Sequence, residues 1–287
     1  MSGRYGGSVA HAIELVQQWP VDVVAAASLI GDDVTVVGSR DIQFPLASLT
    51  KLMTALAVLI AVEEGTVTLD GDVASVIDRP DLAPLRIAAL LSHSSGLAPD
   101  APARRLVTEG QRRIYSNAGY ELAADAVARR SGIAFETYLA EAVFAPLAMR
   151  STALPGSPAS GATSTIDDLV HLLRELHEPR LVSRTTHERM VSPHHPGLAG
   201  ILPGFGRQSD NRWGLGAEIR GHKSPHWTGG RNSPGTYGHF GRSGTFAWWD
   251  PAAKRGLIVL TTREFGEWAR LEWPRLSDAV LSEGPKS

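Results

Sequence analysis

Cysteine is absent from this 287-residue chain, which excludes disulfides, thiol nucleophiles and cysteine-ligated metals. Net charge is nearly absent as well. A formal charge of −2 exerts no pull on phosphate backbones, and no basic stripe is interleaved with aromatics, so nucleic acid is not expected as a partner. No apolar run approaches the ~20 residues a bilayer-spanning helix needs; the longest, Leu52 to Val62, reads as a buried core helix, and no membrane partner is expected. Met1-Ser2-Gly3-Arg4-Tyr5-Gly6-Gly7 lacks a basic start leading into an apolar segment, so the expected location is cytoplasmic. His171, Glu175 and His177 share a helical segment and His194-His195 are adjacent, but no His-Glu-x-x-His or comparable spacing occurs, so no metal is expected.

Lysine is scarce. Lys51, Lys223, Lys254 and Lys286 stand against a background of arginine, and arginine cannot release a proton in a protein. A position that needs a neutral amine is therefore one where arginine would fail. Lys51 opens the apolar run and follows Ser48 by three residues, in Ser48-Leu49-Thr50-Lys51. On a helix that spacing puts both side chains on one face. A desolvated lysine loses affinity for its proton and can take one from a serine hydroxyl, which is a poor nucleophile without a base. The other three lysines sit in polar sequence surroundings and require no such role.

With 43% hydrophobic residues the chain can bury a full core. Ser8 to Trp19 has helical spacing and ends at Pro20. Val21 to Ser28 and Val34 to Ser39 read as a strand hairpin around Gly31-Asp32-Asp33. Helical patterns follow over Leu85 to Leu91, Gly119 to Arg130, Phe135 to Phe144 and Ser164 to Leu176. Strands return at Trp213 to Arg220, His239 to Trp249 and Gly256 to Thr262, and Glu267 to Leu281 closes the chain as a helix. The expected fold class is α+β, with an antiparallel sheet assembled from both ends of the chain, flanked by terminal helices, and a helical lobe between. The expected division is 1–45 with 205–287 as an α/β lobe and 46–204 as a helical lobe, with the active site between them. The long irregular stretch Gly221 to Gly238, with Trp227 near its centre, is expected to roof the pocket.

Two further motifs carry chemistry. In Tyr115-Ser116-Asn117, a tyrosine hydroxyl beside a lysine can relay a proton, and an asparagine amide can hold a carbonyl while contacting the lysine. In His239-Phe240-Gly241, glycine would let a substrate lie against the backbone, and the next amide, on Arg242, can face an oxyanion. His93, in a serine-rich turn, reads as a structural hydrogen-bonding residue. Gly241-Arg242-Ser243-Gly244-Thr245 fails the Gly-x-Ser-x-Gly pattern at its last position, which disfavours an α/β-hydrolase.

With these three motifs in this order, the chain resembles the serine β-lactamase and penicillin-binding-protein superfamily, and within it class C β-lactamases and the related esterases and peptidases. Flanking segments extend the likeness over residues 25 to 265: Phe44 to Lys51, Val62 to Asp70, Leu90 to Leu97, Gly161 to Leu169, and Trp213-Gly214-Leu215-Gly216. The resemblance implies a β-lactamase/DD-peptidase-like fold and acyl transfer to water through a covalent acyl-enzyme, without cofactors. It implies Ser48 as nucleophile, Lys51 as general base and Tyr115 as proton relay. Asn117 would position the substrate, and the amides of Ser48 and Arg242 would bind the oxyanion. His239, Gly241 and Trp227 complete the expected substrate-binding set.

One departure sets the expected substrate. β-Lactamases and the peptidases carry lysine where His239 stands, and a largely neutral histidine holds an anionic substrate less well, though better as it protonates at low pH. The expected function is therefore a carboxylesterase-like serine hydrolase acting on a small ester or amide. A β-lactamase or D-amino-acid peptidase of the same fold, and a catalytically silent scaffold, are the alternatives.

Overall fold

The structure, a computed structural model, describes residues 11–283. The reading of the first seven residues and the expected helix start at Ser8 lie outside the described residues. A 3-10 turn, Ala12–Gln18, buries Ile13 and Val16. Strands β1 (Val24–Ile30) and β2 (Asp33–Gly38) form the expected hairpin. The two-residue strand β3 (Phe44–Pro45) leads to α1 (Thr50–Glu63), α2 (Ile87–Leu91), α3 (Asn117–Ser131) and α4 (Phe135–Leu139), the last running on into a π turn, Ala140–Phe144. After β4 (Thr163–Ser164), which pairs with β3, come α5 (Ile166–His177) and α6 (Arg184–Val191). The remainder holds β5 (Gly200–Leu202), β6 (Gly206–Gln208), β7 (Glu218–Ile219), β8 (Tyr237–Gly241), β9 (Thr245–Asp250), β10 (Arg255–Thr261) and α7 (Glu267–Ser282).

Six strands make one antiparallel sheet in the order β2-β1-β10-β9-β8-β7, so the two ends of the chain meet at the β1–β10 pairing. Strands covered on both faces need apolar residues at every position, because successive side chains point to opposite sides. β9 and β10 satisfy this between their polar ends. Phe246, Trp248, Leu257 and Val259 pack with α7 and the Ala12–Gln18 turn, while Ala247, Trp249, Ile258 and Leu260 pack towards the helices on the opposite face. The core on that face is centred on α1, where every residue from Thr50 to Ala61 is buried. Truncating one of its leucines would cost about 2–5 kcal/mol. Among the described residues no helix is long and apolar enough to cross a membrane.

Three expectations change in detail. The pattern from His239 to Trp249 is not one strand but the β8–β9 hairpin, turning at Gly241 to Gly244, where the Gly244 amide donates to Gly241 O at 3.1 Å and Gly244 takes φ +87°. Gly241-Arg242-Ser243-Gly244, a polar stretch bounded by glycines, is the turn signal that separates the two strands. Trp213 to Arg220 contracts to β7, with Trp213 making only an isolated bridge to Glu218. The Gly221 to Gly238 stretch does not roof the cavity. It is tied to the far side of the sheet, where Ser233 donates from N and Oγ to Asp250 and the Arg231 amide donates to Asp278.

Candidate active site

Ser48 sits in a 3-10 turn, Ala47–Leu49, that feeds directly into α1. Ala47 adopts φ +45°, a left-handed conformation that costs a non-glycine residue about 1–3 kcal/mol and therefore requires support from its surroundings. The support is visible. Thr50 Oγ1 donates to Ala47 O at 2.6 Å, Thr245 Oγ1 donates to Leu46 O at 2.9 Å, and the Leu46 amide donates to Ala162 O at 2.9 Å. Gly241 belongs to the same arrangement. A Cβ there would lie 2.2 Å from Leu46 O and 3.2 Å from Ala47 Cβ, so glycine is needed for the strand to press against the serine turn. That is a packing reason for glycine at this position, beside the expected approach of a substrate to the backbone.

Lys51 is sealed from solvent on the first turn of α1. Its Nζ donates to Asn117 Oδ1 at 2.6 Å and to Ala159 O at 2.8 Å, and lies 3.4 Å from Ser48 Oγ. No carboxylate forms an ion pair with it among the described residues. Burial therefore dominates and lowers the ammonium to about 7, against a weaker upward pull from Glu121 and Asp100. An amine near this value is substantially neutral at physiological pH and can accept a hydroxyl proton.

Asn117 begins α3, behind Ser116, whose Oγ caps the helix by accepting from the Gly119 amide. Its amide is oriented by both neighbours, with Oδ1 accepting from Lys51 and Nδ2 donating to Asp100 Oδ1 at 2.8 Å. Tyr115 lies across Lys51, with Nζ 4.7 Å from the ring centroid. Desolvation raises its hydroxyl well above the ordinary phenol value, only partly offset by a hydrogen bond with Ser48. Tyr115 thus stays protonated and can hand a proton on. Beneath it the His93 ring packs at 4.5 Å, and His93 Nδ1 accepts the Ser116 amide proton at 3.0 Å. His93 is a support for the Tyr115-Ser116-Asn117 turn, as its sequence context suggested.

The structure brings Ser48, Tyr115, Asn117, His239 and Arg242 to one cavity of about 200 Å³, with Lys51 beneath its floor. Its remaining walls include Leu202, Pro203, Trp213 and Phe240. His239 borders the cavity with both nitrogens committed or enclosed, since Nδ1 donates to Phe240 O at 2.7 Å and Nε2 is buried without a partner. Burial and the Lys51 charge lower its imidazolium to about 3, so His239 stays neutral across the physiological range and the expected gain in anion attraction at mildly low pH does not arise. Arg242 is 84% exposed at the rim, with Glu264 3.7 Å away. Its backbone amide finds no acceptor among the described residues and is free to meet an oxyanion.

Trp227 is misplaced by the sequence reading. Its ring is buried in the second core with Phe246, Trp248 and Trp273, and its Nε1–H donates to Glu218. The tryptophan on the cavity wall is Trp213, whose Trp-Gly-Leu-Gly segment was visible in the sequence as a flank of the family. The sequence also gave no sign of Glu218. This buried carboxylate accepts from Lys223 Nζ, from His226 Nε2 at 3.0 Å and from Trp227, and borders the cavity. Lys223 and His226 hold Glu218 far below the usual carboxylate range despite burial. No cluster of potential metal ligands occurs among the described residues.

The same architecture recurs widely among solved structures. A beta-lactamase from Mycobacterium bovis is 46% identical, superposes with a TM-score of 0.88, and is matched over 94% of this chain and 98% of its own. A penicillin-binding protein from Bacillus halodurans is 20% identical with a TM-score of 0.74, over 92% and 98% of the two chains. EstCE1, a hydrolase with promiscuous acyltransferase activity, is 17% identical with a TM-score of 0.75, over 94% and 97%. A comparison with curated proteins finds no match. The Beta-lactamase family model spans residues 25–281, and on that match the chain belongs to the beta-lactamase family as a hydrolase of the beta-lactamase fold.

Proposed function

We propose that the protein is a serine hydrolase that cleaves esters uncharged beside the scissile carbonyl through an acyl-enzyme. The observation that carries this reading is Lys51, buried without an ion-pair partner, lowered to about 7, and 3.4 Å from Ser48 Oγ. Neutral Lys51 takes the Ser48 proton as Oγ bonds to the substrate carbonyl carbon. Negative charge then gathers on the carbonyl oxygen, which the amides of Ser48 and Arg242 receive. The carbon–oxygen bond to the alcohol breaks, and the alcohol leaves with a proton passed from Lys51 through the Tyr115 hydroxyl. Water then attacks the acyl-enzyme, with Lys51 and Tyr115 acting in reverse, and Ser48 regains its proton. Asn117 keeps the amine aligned throughout.

An ester that is uncharged where it faces His239 is favoured over a lactam with a carboxylate at that point, because the cavity has a largely apolar wall in Leu202, Pro203, Trp213 and Phe240 and faces a neutral His239. A second reading, β-lactam hydrolysis, has specific support in the identity to the Mycobacterium bovis protein and in the Arg242 guanidinium at the rim. Two measurements decide. A fluorophosphonate probe should label Ser48, and Ser48→Ala should lose ester hydrolysis by about a thousandfold or more; turnover retained in that variant would sink the reading. Cephalosporin turnover exceeding that of acetate esters would move the lactam reading into first place.

A further inference from the structure

A second cavity of about 690 Å³ opens beside the first, and Tyr115 and Pro203 line both. Its walls carry Leu106, Ile114 and Ile201. Ile201 stands 66% exposed on β5 and Leu106 38% exposed, an unusual presentation of large apolar side chains next to a reactive cavity. Arg112, Arg113 and Arg207 also line it, and no acidic side chain does. Arg113 is buried, with its Nη groups donating to the carbonyls of Ser92, His194 and His195 and its Nε without a partner. Arg112 and Arg207 are exposed, and neither has an ion-pair partner among the described residues.

We infer that this groove binds the alcohol half of the substrate, and that this half has an apolar chain ending in an anion. The inference rests on the serine-hydrolase reading above. In that reading Tyr115 delivers the proton to the departing alcohol, so the alcohol lies on the Tyr115 side of the carbonyl, and the space beyond Tyr115 is this groove. The smaller cavity, at about 200 Å³, is left for a short acyl group. An alkyl chain crossing Leu106, Ile114 and Ile201 would remove apolar surface from water on both partners. A terminal anion would then reach the unpaired guanidinium groups of Arg112 and Arg207.

The test compares kcat/KM for ethyl acetate, octyl acetate, the acetate ester of ω-hydroxyoctanoate, and ethyl octanoate, with phenyl acetate as the reference for Ser48-dependent chemistry. Octyl acetate should exceed ethyl acetate by about tenfold. The anionic ester should exceed octyl acetate by roughly tenfold more at low salt, a gain that shrinks as salt is added. Both ratios should appear mainly in KM. Arg112→Ala with Arg207→Ala should abolish the second ratio and keep the first, and Ile201→Asp should abolish both. Equal rates across the acetates, or a chain preference seen with ethyl octanoate instead, would overturn the inference while Ser48-dependent cleavage of phenyl acetate left the hydrolase reading standing. Absence of Ser48-dependent cleavage of every ester would overturn both.

Discussion

Lys51 and Lys223 are both enclosed by protein, and their neighbours are opposite in kind. Lys223 donates to the Glu218 carboxylate, which also accepts from His226 and Trp227, and to Arg212 O at 3.0 Å. Lys51 has only neutral acceptors, Asn117 Oδ1, Ala159 O and Ser48 Oγ, and its carboxylates act at a distance. Burial opposes the charge of each lysine, but in Lys223 a contact anion opposes the lowering. The difference shows that desolvation alone does not make a base. A contact carboxylate turns a buried lysine into a structural tie, whereas neutral acceptors leave it able to shed its proton.

The sharpest way to break the comparison is Lys51→Arg. Arginine keeps the charge and cannot release a proton, so kcat/KM should fall by about a thousandfold, as far as in Lys51→Ala. Substantial activity in the arginine variant would make Lys51 an electrostatic residue. In the native protein kcat/KM should rise with pH through about 7 and level off above it, because the active form is the neutral amine.

Stability should separate the two lysines next. Lys223→Met leaves Glu218 buried without its cation and should cost about 3–5 kcal/mol, read by chemical denaturation. Lys51→Met should act in the opposite direction. The unfolded chain keeps this proton up to about 10.5 and the folded chain only to about 7, so the unfolded state binds more protons between those values. The destabilisation from Lys51 is thus complete below pH 7 and eases by about 1.4 kcal/mol per pH unit above it. The methionine variant should gain most over native in mildly acidic solution and least in alkaline. Loss of stability in both variants at pH 6 would end the contrast.

This contrast also marks what could be read in the sequence. Ser48 and Lys51 declare themselves locally, because one helical turn joins them and the following run is apolar on every face. The β1–β2 hairpin and α7 are equally local. Lys223 stands among His222, Ser224, Pro225 and His226, which resemble a solvated loop, and its burial arises only when the chain folds over Glu218. Trp227 was drawn to the pocket by its place in a long loop before His239, but that loop folds to the opposite face of the sheet. A tryptophan's size says that it will be buried, not on which side. Gly241 was conspicuous for its motif, but the packing reason for glycine there, the close approach of Leu46 O and Ala47 Cβ from nearly two hundred residues earlier, is not visible in the sequence.

Tyr115→Phe should be of intermediate size. The hydroxyl is assigned to both halves of the reaction and is held protonated by burial, so its loss should slow acylation and deacylation together by about a hundredfold. Pre-steady-state kinetics would separate the two steps. A variant impaired only in deacylation would restrict Tyr115 to water activation and leave the departing alcohol to Lys51 alone.

The smallest effects test whether the distant carboxylates tune Lys51 at all. Glu121 accepts from Ser157 Oγ at 2.7 Å and Asp100 accepts from Asn117 Nδ2, and both raise the Lys51 ammonium without touching it, Glu121 the more strongly. Glu121→Gln and Asp100→Asn keep an oxygen for each of those donors and remove only the charge. Loss of an anion favours the neutral amine, so the acid limb of kcat/KM should move to lower pH, by roughly 0.3 units at low salt and less as salt screens the field. Asp100 is exposed, so screening should erase its share first. A downward shift of a full unit, as loss of a contact partner would produce, would place these carboxylates in the role that Glu218 plays for Lys223, and an upward shift would show that their charge does not tune Lys51.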